Sequence, residues 1–343
     1  MSEAIYHHLV PRTYLKSWCH HGYSAHAYKS EGEKFKNGVN VSSHFGYNHY
    51  HSLRVGMSYL NEEDLSQIFK ELSNFQVKYE GRNLEGLKEW NEKFFDRENW
   101  ELIYPNGKLV PKKRRNALFQ SIEHAALPVI EMGWSIKYEN KWNKLLRIIE
   151  QKVLVEEEDT EIPEFYKGFI MKMIVSIGWR SERSREIYTE VLNQIDNVVN
   201  LSQIVIDRKD NLLPFGNNVL DVIRHEYLLK EYRNFLNETG VIYMEAKEYI
   251  RRCSLTFFVA TGECRFITSD NPSFIRSDSN FKVPTMPVSP QVLVEVGVDR
   301  EKRGTYQIRR IDDIMVKQYN KIILDNSERM VLSLSPDLEI MGL

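Results

Sequence analysis

Three short stretches of this chain carry side chains whose types and spacing could do chemistry. The first is His8-Leu-Val-Pro-Arg-Thr-Tyr-Leu-Lys-Ser-Trp18. Pro11 fixes its own backbone and holds Val10 extended, so a helical turn can start immediately after it. In that turn Arg12 shares a face with Lys16, and Tyr14 shares another with Trp18. A rigid bend bearing His8, Arg12, Tyr14 and Lys16 could present donors to an anion. Alternatively, the apolar members dock the terminus on the core while the cations face water. The second stretch, Cys264-Arg-Phe-Ile-Thr-Ser-Asp-Asn-Pro-Ser-Phe274, places Ser269, Asp270 and Asn271 before Pro272. Asp and Asn there favour a tight turn through side-chain to backbone hydrogen bonds. The same placement could hold Asp270 rigidly at a cleft. In the third, Glu123 lies among Ile122, Ala126, Leu127 and Ile130. A carboxylate inside such a stripe needs a cation, for which Arg180, at the end of an apolar stretch, is a candidate. The Arg180 guanidinium could equally grip a phosphate.

Eight of the ten histidines fall within the first 51 residues. Cys19-His20-His21 and His49-Tyr-His51 invite comparison with zinc sites, yet neither has a spacing that forces tetrahedral convergence. A divalent ion is thus an open possibility. The basic run Lys112-Lys-Arg-Arg115 is a solvated helix start or a phosphate contact.

These groups need elements to position them. With 343 residues, 42% hydrophobic and 27% charged, the chain has ample material for a core. Its net charge of −2 provides no global field for nucleic acid, so such a partner would need a local patch. Three scattered cysteines fit a reducing compartment, and the chain has neither a signal-like start nor an apolar run of membrane-spanning length. A cytoplasmic protein, without membrane association, is expected.

Alternation predicts strands in Ser24–Ser30 and around Gly38–Phe45, joined as a hairpin. Helical periodicity follows in Asn61–Tyr79, Leu84–Phe95, Lys112–Trp134 (bent at Pro128), Trp142–Val153 and a core helix near Phe165–Trp179. Further helices are expected near 182–198 and 217–238. Beyond Gly240 the pattern returns to strands, and Ser254–Thr261 and Cys264–Ser269 suggest a hairpin across Thr-Gly-Glu. Gln291–Val298 suggests a strand, the stretch from Arg310 to Leu324 a helix, and Arg329–Ser335 a last strand. This order predicts an α+β fold in one domain, 1–343, with β-rich ends pairing into one sheet around a helical middle. A helical insertion is expected at about 52–110.

In order, these islands resemble a bacterial family known as domain of unknown function 4238. The resemblance rests on His8-x-x-Pro11-Arg12-x-Tyr14-Leu15-Lys16, on Ile122-Glu123 with Ala126 and Pro128-Val129, and on Phe169 leading to Arg180. It continues in Phe266–Pro272 and Pro287-Val288-Ser289-Pro290, and ends at Asn320. Departures are Arg180-Ser181-Glu182 where the family commonly has Arg-Thr-Pro, and Trp18 where Phe is usual. The resemblance implies that His8, Glu123, Arg180 and Asp270 gather at one place. It carries no established activity.

The leading expectation is a phosphate-ester hydrolase, a nuclease of RNA or DNA. His8 would be general acid or base, with Glu123 and Asp270 orienting it or holding a divalent ion. Arg12, Tyr14, Lys16, Arg180, Ser269 and Asn271 would bind substrate, the three cations stabilising charge on the phosphate. A role in bacterial defence, or as a toxin-like effector, is suggested by the character of the family alone. The alternative is a non-catalytic module that senses a nucleotide or other anion and meets a protein partner through the helical insertion.

Overall fold

The computed structural model describes residues 5–29, 38–181, 189–206, 217–278, 281–298 and 304–342. The fold class is α+β. Contacts divide the chain into a smaller unit, residues 1–5 with 49–132, and a larger one, residues 6–48 with 133–343. No described helix is long and apolar enough to cross a membrane.

In the smaller unit, Asn61 and Asp64 close a reciprocal capping box that starts the helix Glu62–Ile68. Phe69, Leu72 and Val77 are buried with Trp90, Phe94, Trp100 and Phe119 in one core. The rings of Trp100 and Phe119 stand almost perpendicular to that of Phe94. Periodicity had suggested one helix from Asn61 to Tyr79. Instead the helix ends at Ile68, a short 3-10 turn covers Lys70–Leu72, and Gln76–Tyr79 is the central strand of three, between Arg82–Asn83 and Trp100–Ile103. Val77 fits both a helical and an alternating pattern, and pairing with Leu102 selects the strand. The expected helical insertion is therefore partly sheet.

The larger unit holds two main sheets. The helix Lys167–Arg180 buries residues over most of its circumference, as its nearly continuous apolar sequence predicts. One sheet has the order Thr268–Ser269, Met330–Ser333, Ser24–Lys29, Cys19–His21, with Val39–Asn40 also on Ser24–Lys29. The N- and C-terminal strands thus pair directly, Leu332 opposite Ala27. The expected hairpin of Ser24–Lys29 with Val39 is present, while its loop, 30–37, and the start of the helix expected at 182–198 lie outside the described residues. The second sheet runs Phe274–Asp278, Phe281–Pro287, Val292–Val298, Cys253–Ala260, Thr305–Ile311, Thr160–Pro163.

The hairpin expected across Thr261–Glu263 does not form. Cys253–Ala260 pairs with Val292–Val298 and Thr305–Ile311, and the chain after it leaves that sheet. Side chains draw it away. Asp313 accepts the amides of Glu263 and Cys264, at 3.3 and 2.9 Å. The fully buried Asn320 accepts from the amide of Ile267 at 3.0 Å and donates to the carbonyls of Arg265 and Met341, at 2.9 and 3.0 Å. Turn residues and β-branched composition specified a break and a strand, but not which ladder the strand would join.

A buried polar group that loses its partner costs about 1–3 kcal/mol. Asn320→Ala leaves one amide and two carbonyls to find new partners, so we expect urea denaturation to show a loss of roughly 3 kcal/mol. A midpoint shift no larger than that of a surface alanine substitution would remove Asn320 from this role.

Candidate functional site

The turn Arg12–Leu15 follows Pro11 and is continued by a 3-10 turn to Trp18. Two buried bonds fasten it to the Thr-Ser-Asp-Asn-Pro segment. The Tyr14 hydroxyl donates to the carbonyl of Pro287 at 2.7 Å, leaving its oxygen to accept from the Thr268 hydroxyl, also at 2.7 Å. The Trp18 indole donates to the carbonyl of Phe266 at 2.8 Å. Burial drives the Tyr14 phenol far above its ordinary pKa, with the Thr268 bond acting weakly against it. Tyr14 is therefore a neutral structural hydrogen-bonding group.

Before this turn, the strand Tyr6–His8 pairs with Gly46–Asn48, His8 opposite Gly46. A side chain at Gly46 would collide with the His7 carbonyl. The His8 carbonyl accepts from Arg180 at 2.5 Å, the other terminal nitrogen of Arg180 donates to Glu139 at 2.7 Å, and the guanidinium lies 4.9 Å from the Trp134 ring centroid. Arg180, 1% exposed, is thus a buried cation held by a carboxylate, a carbonyl and an aromatic face.

Asp270 is also enclosed, at 3% exposure. Its two oxygens accept the amides of Glu328 and Arg329, at 3.1 and 2.7 Å, and the Arg329 guanidinium approaches to 3.6 Å. Arg329 in turn lies over Tyr47, on the strand that pairs with Tyr6–His8. Ser269 accepts the Asn271 amide at 3.1 Å, and Asn271 donates to the carbonyl of Asn326 at 3.0 Å. The motif is a tight turn latched onto residues 326–330.

Of the residues nominated from sequence, the larger unit brings together the opening element, Arg180 and the Ser269–Asn271 turn. Glu123 belongs to the smaller unit, paired with Arg97 at 3.0 Å. The Glu123–Arg180 pairing considered from sequence is replaced by two others, Glu123–Arg97 and Arg180–Glu139. Periodicity put Glu123 and Arg180 on apolar faces, but it carries no information about which cation meets which anion. In the smaller unit, buried His51 and Glu131 lie 2.6 Å apart, a pair that orients the imidazole or supplies two of the three or four donors a zinc ion takes.

A family described as "Protein of unknown function (DUF4238)" matches residues 6–337. The chain belongs to this family. No curated protein and no solved structure matches it. For this member of the family, the islands of resemblance therefore acquire physical roles from its own geometry. The His-Pro-Arg-Tyr island clamps the Thr-Ser-Asp-Asn-Pro island, and Arg180 ties the former to the core.

Beside the turn lies a cavity of about 450 Å³ whose lining includes Asn271 and Ser273 of the turn together with Trp179 and Glu245. The indole of Trp179 donates to Glu245 at 2.7 Å. Sequence reasoning passed over Trp179 and Glu245, although Trp179 adjoins Arg180. Nothing in the spacing of helix Gly240–Arg252 distinguishes Glu245 from its exposed neighbours.

Since Asp270 holds two main-chain amides, Asp270→Ala should lower stability by about 2–4 kcal/mol in urea unfolding. Asp270→Asn, which retains one acceptor oxygen, should recover part of that loss. Equal stability of all three proteins would rule out the latch.

Proposed function

We propose that this protein recognises phosphate groups of a nucleic acid or nucleotide without needing to cleave them, through the face of its N-terminal turn that is open to solvent. One observation carries this reading. Among the nominated residues, Arg12 and Lys16 are exposed and gather over one aromatic ring, whereas Asp270, Arg180 and Tyr14 are enclosed by protein partners. The Arg12 guanidinium lies 4.9 Å and the Lys16 ammonium 5.9 Å from the centroid of Tyr23, itself 37% exposed. His20 and His21 follow, exposed, on the strand Cys19–His21.

Cations on an aromatic platform suit a phosphodiester backbone with a base or sugar against the ring. In a chain of net charge −2, such recognition needs a local patch, which Arg12 and Lys16 supply here. The Tyr14 and Trp18 bonds hold the turn still, so little conformational freedom is lost on binding. The Cys19 thiol beside it is pushed up to about 11 by burial, with Lys16 acting against the shift, and so stays protonated near neutral pH. Its three free cysteines accord with a cytoplasmic location.

Fluorescence anisotropy with labelled single-stranded RNA and DNA in the presence of chelator tests this function. Joint replacement Arg12→Ala/Lys16→Ala should weaken binding about tenfold or more at low salt. It should also reduce the slope of log affinity against log salt by about 1–2. Unchanged affinity and slope would sink the assignment. Divalent-ion-dependent cleavage that disappears in His8→Ala would instead favour phosphodiester hydrolysis.

A further inference from the structure

A second site is carried by the cavity beside the Ser269–Asn271 turn, which is independent of the phosphate-binding face. Its volume of about 450 Å³ falls within the range that accommodates small organic ligands. Three different elements build it: the last turns of helix Lys167–Arg180, helix Gly240–Arg252, and the turn that leads into strand Phe274–Asp278. At its edge the helix and the turn approach closely, because Gly178 has no side chain. A Cβ there would come within 3.1 Å of the Ser273 hydroxyl.

The lining decides the ligand. Glu245 is the one charged side chain among the described residues that line the cavity, so the described lining carries a negative charge and no cation. An anionic ligand would be repelled. The Glu245 carboxylate is fixed by the Trp179 indole at 2.7 Å. With one oxygen already engaged, a planar ligand that needs both oxygens at once, such as the donor edge of a guanine, is disfavoured. A positive charge needs only proximity and one remaining lone pair. Trp179 offers a ring to the same charge, and Val175, Phe274 and Pro284 provide an apolar wall for the body of the ligand. Asn271 and Ser273 add polar atoms to the lining.

We propose that this cavity binds a small organic ammonium, its charged head at Glu245 and Trp179 and its apolar body against Val175 and Phe274. The family motif at Ser269–Asn271 thereby acquires a second consequence: the latch that encloses Asp270 also shapes one wall of the cavity.

The test is isothermal titration of the full chain with 2-phenylethylammonium, its neutral counterpart 2-phenylethanol and the anion 3-phenylpropionate. The ammonium should bind about 10- to 100-fold more tightly than the alcohol, the range spanned by a charge-assisted hydrogen bond, and the anion should not bind. Glu245→Gln keeps an acceptor for the Trp179 indole but removes the charge. It should abolish the preference for the ammonium while the unfolding midpoint stays within a degree or two of the parent. Equal binding of ammonium and alcohol, no binding of the ammonium at millimolar concentration, or a preference that survives Glu245→Gln would each overturn the site. Because the parent protein alone is compared across three probes, the result stands even where the variant is unstable. Arg12→Ala/Lys16→Ala should leave this binding intact, which separates it from phosphate recognition.

Discussion

The hydroxyl of Tyr14, buried between the Thr268 hydroxyl and the Pro287 carbonyl, is the contact on which the arrangement of the candidate site in the larger unit depends. It joins residues more than 250 positions apart in sequence, and with the Trp18 bond to Phe266 it leaves the N-terminal turn a single seat. Each of these donors would be costly to bury without its acceptor. Seating the turn orients Arg12 and Lys16 outward from the opposite face. It also supports one side of the segment that ends in the Asp-Asn-Pro turn. Asn320 supports the other side through Arg265 and Ile267, and Asp270 ties the far end to residues 328 and 329.

The same chemistry that makes a residue type attractive as a catalyst also makes it useful as a fastener. Asp270 accepts two amides and attracts a guanidinium, as a carboxylate does in an N-cap or an anion site. Arg180 spreads its donors over a carboxylate and a carbonyl while its plane meets Trp134, a geometry that lysine could not reproduce. Polar networks of this kind, once satisfied, resist rearrangement and hold irregular backbone in place. Other groups are of another sort: two exposed cations over Tyr23, and a half-buried carboxylate that lines a cavity. On these two the proposed recognition rests.

Particular elements show where sequence reasoning succeeded. Pro11 announced the turn at Arg12–Leu15, the apolar run announced the core helix Lys167–Arg180, and periodicity announced the helix Asp313–Asp325, within about two or three residues of its start. Each is governed by side chains within one or two turns of each other. Elsewhere local patterns were ambiguous. Val77 satisfied two periods until Leu102 lay opposite it, and Cys264–Ile267 had strand composition but was claimed by Asp313, Pro290 and Asn320.

What the sequence determined by itself was the α+β class, the turn after Pro11, the tight turn before Pro272 and most helices, because these follow from dihedral limits and short-range periodicity. Tertiary structure alone decided that Glu123 meets Arg97 and Arg180 meets Glu139, that Asp270 is enclosed while Arg12 is open, and that Trp179 and Glu245 face a cavity. A charge chooses its partner by distance and by burial, and both are set only once segments remote in sequence have packed.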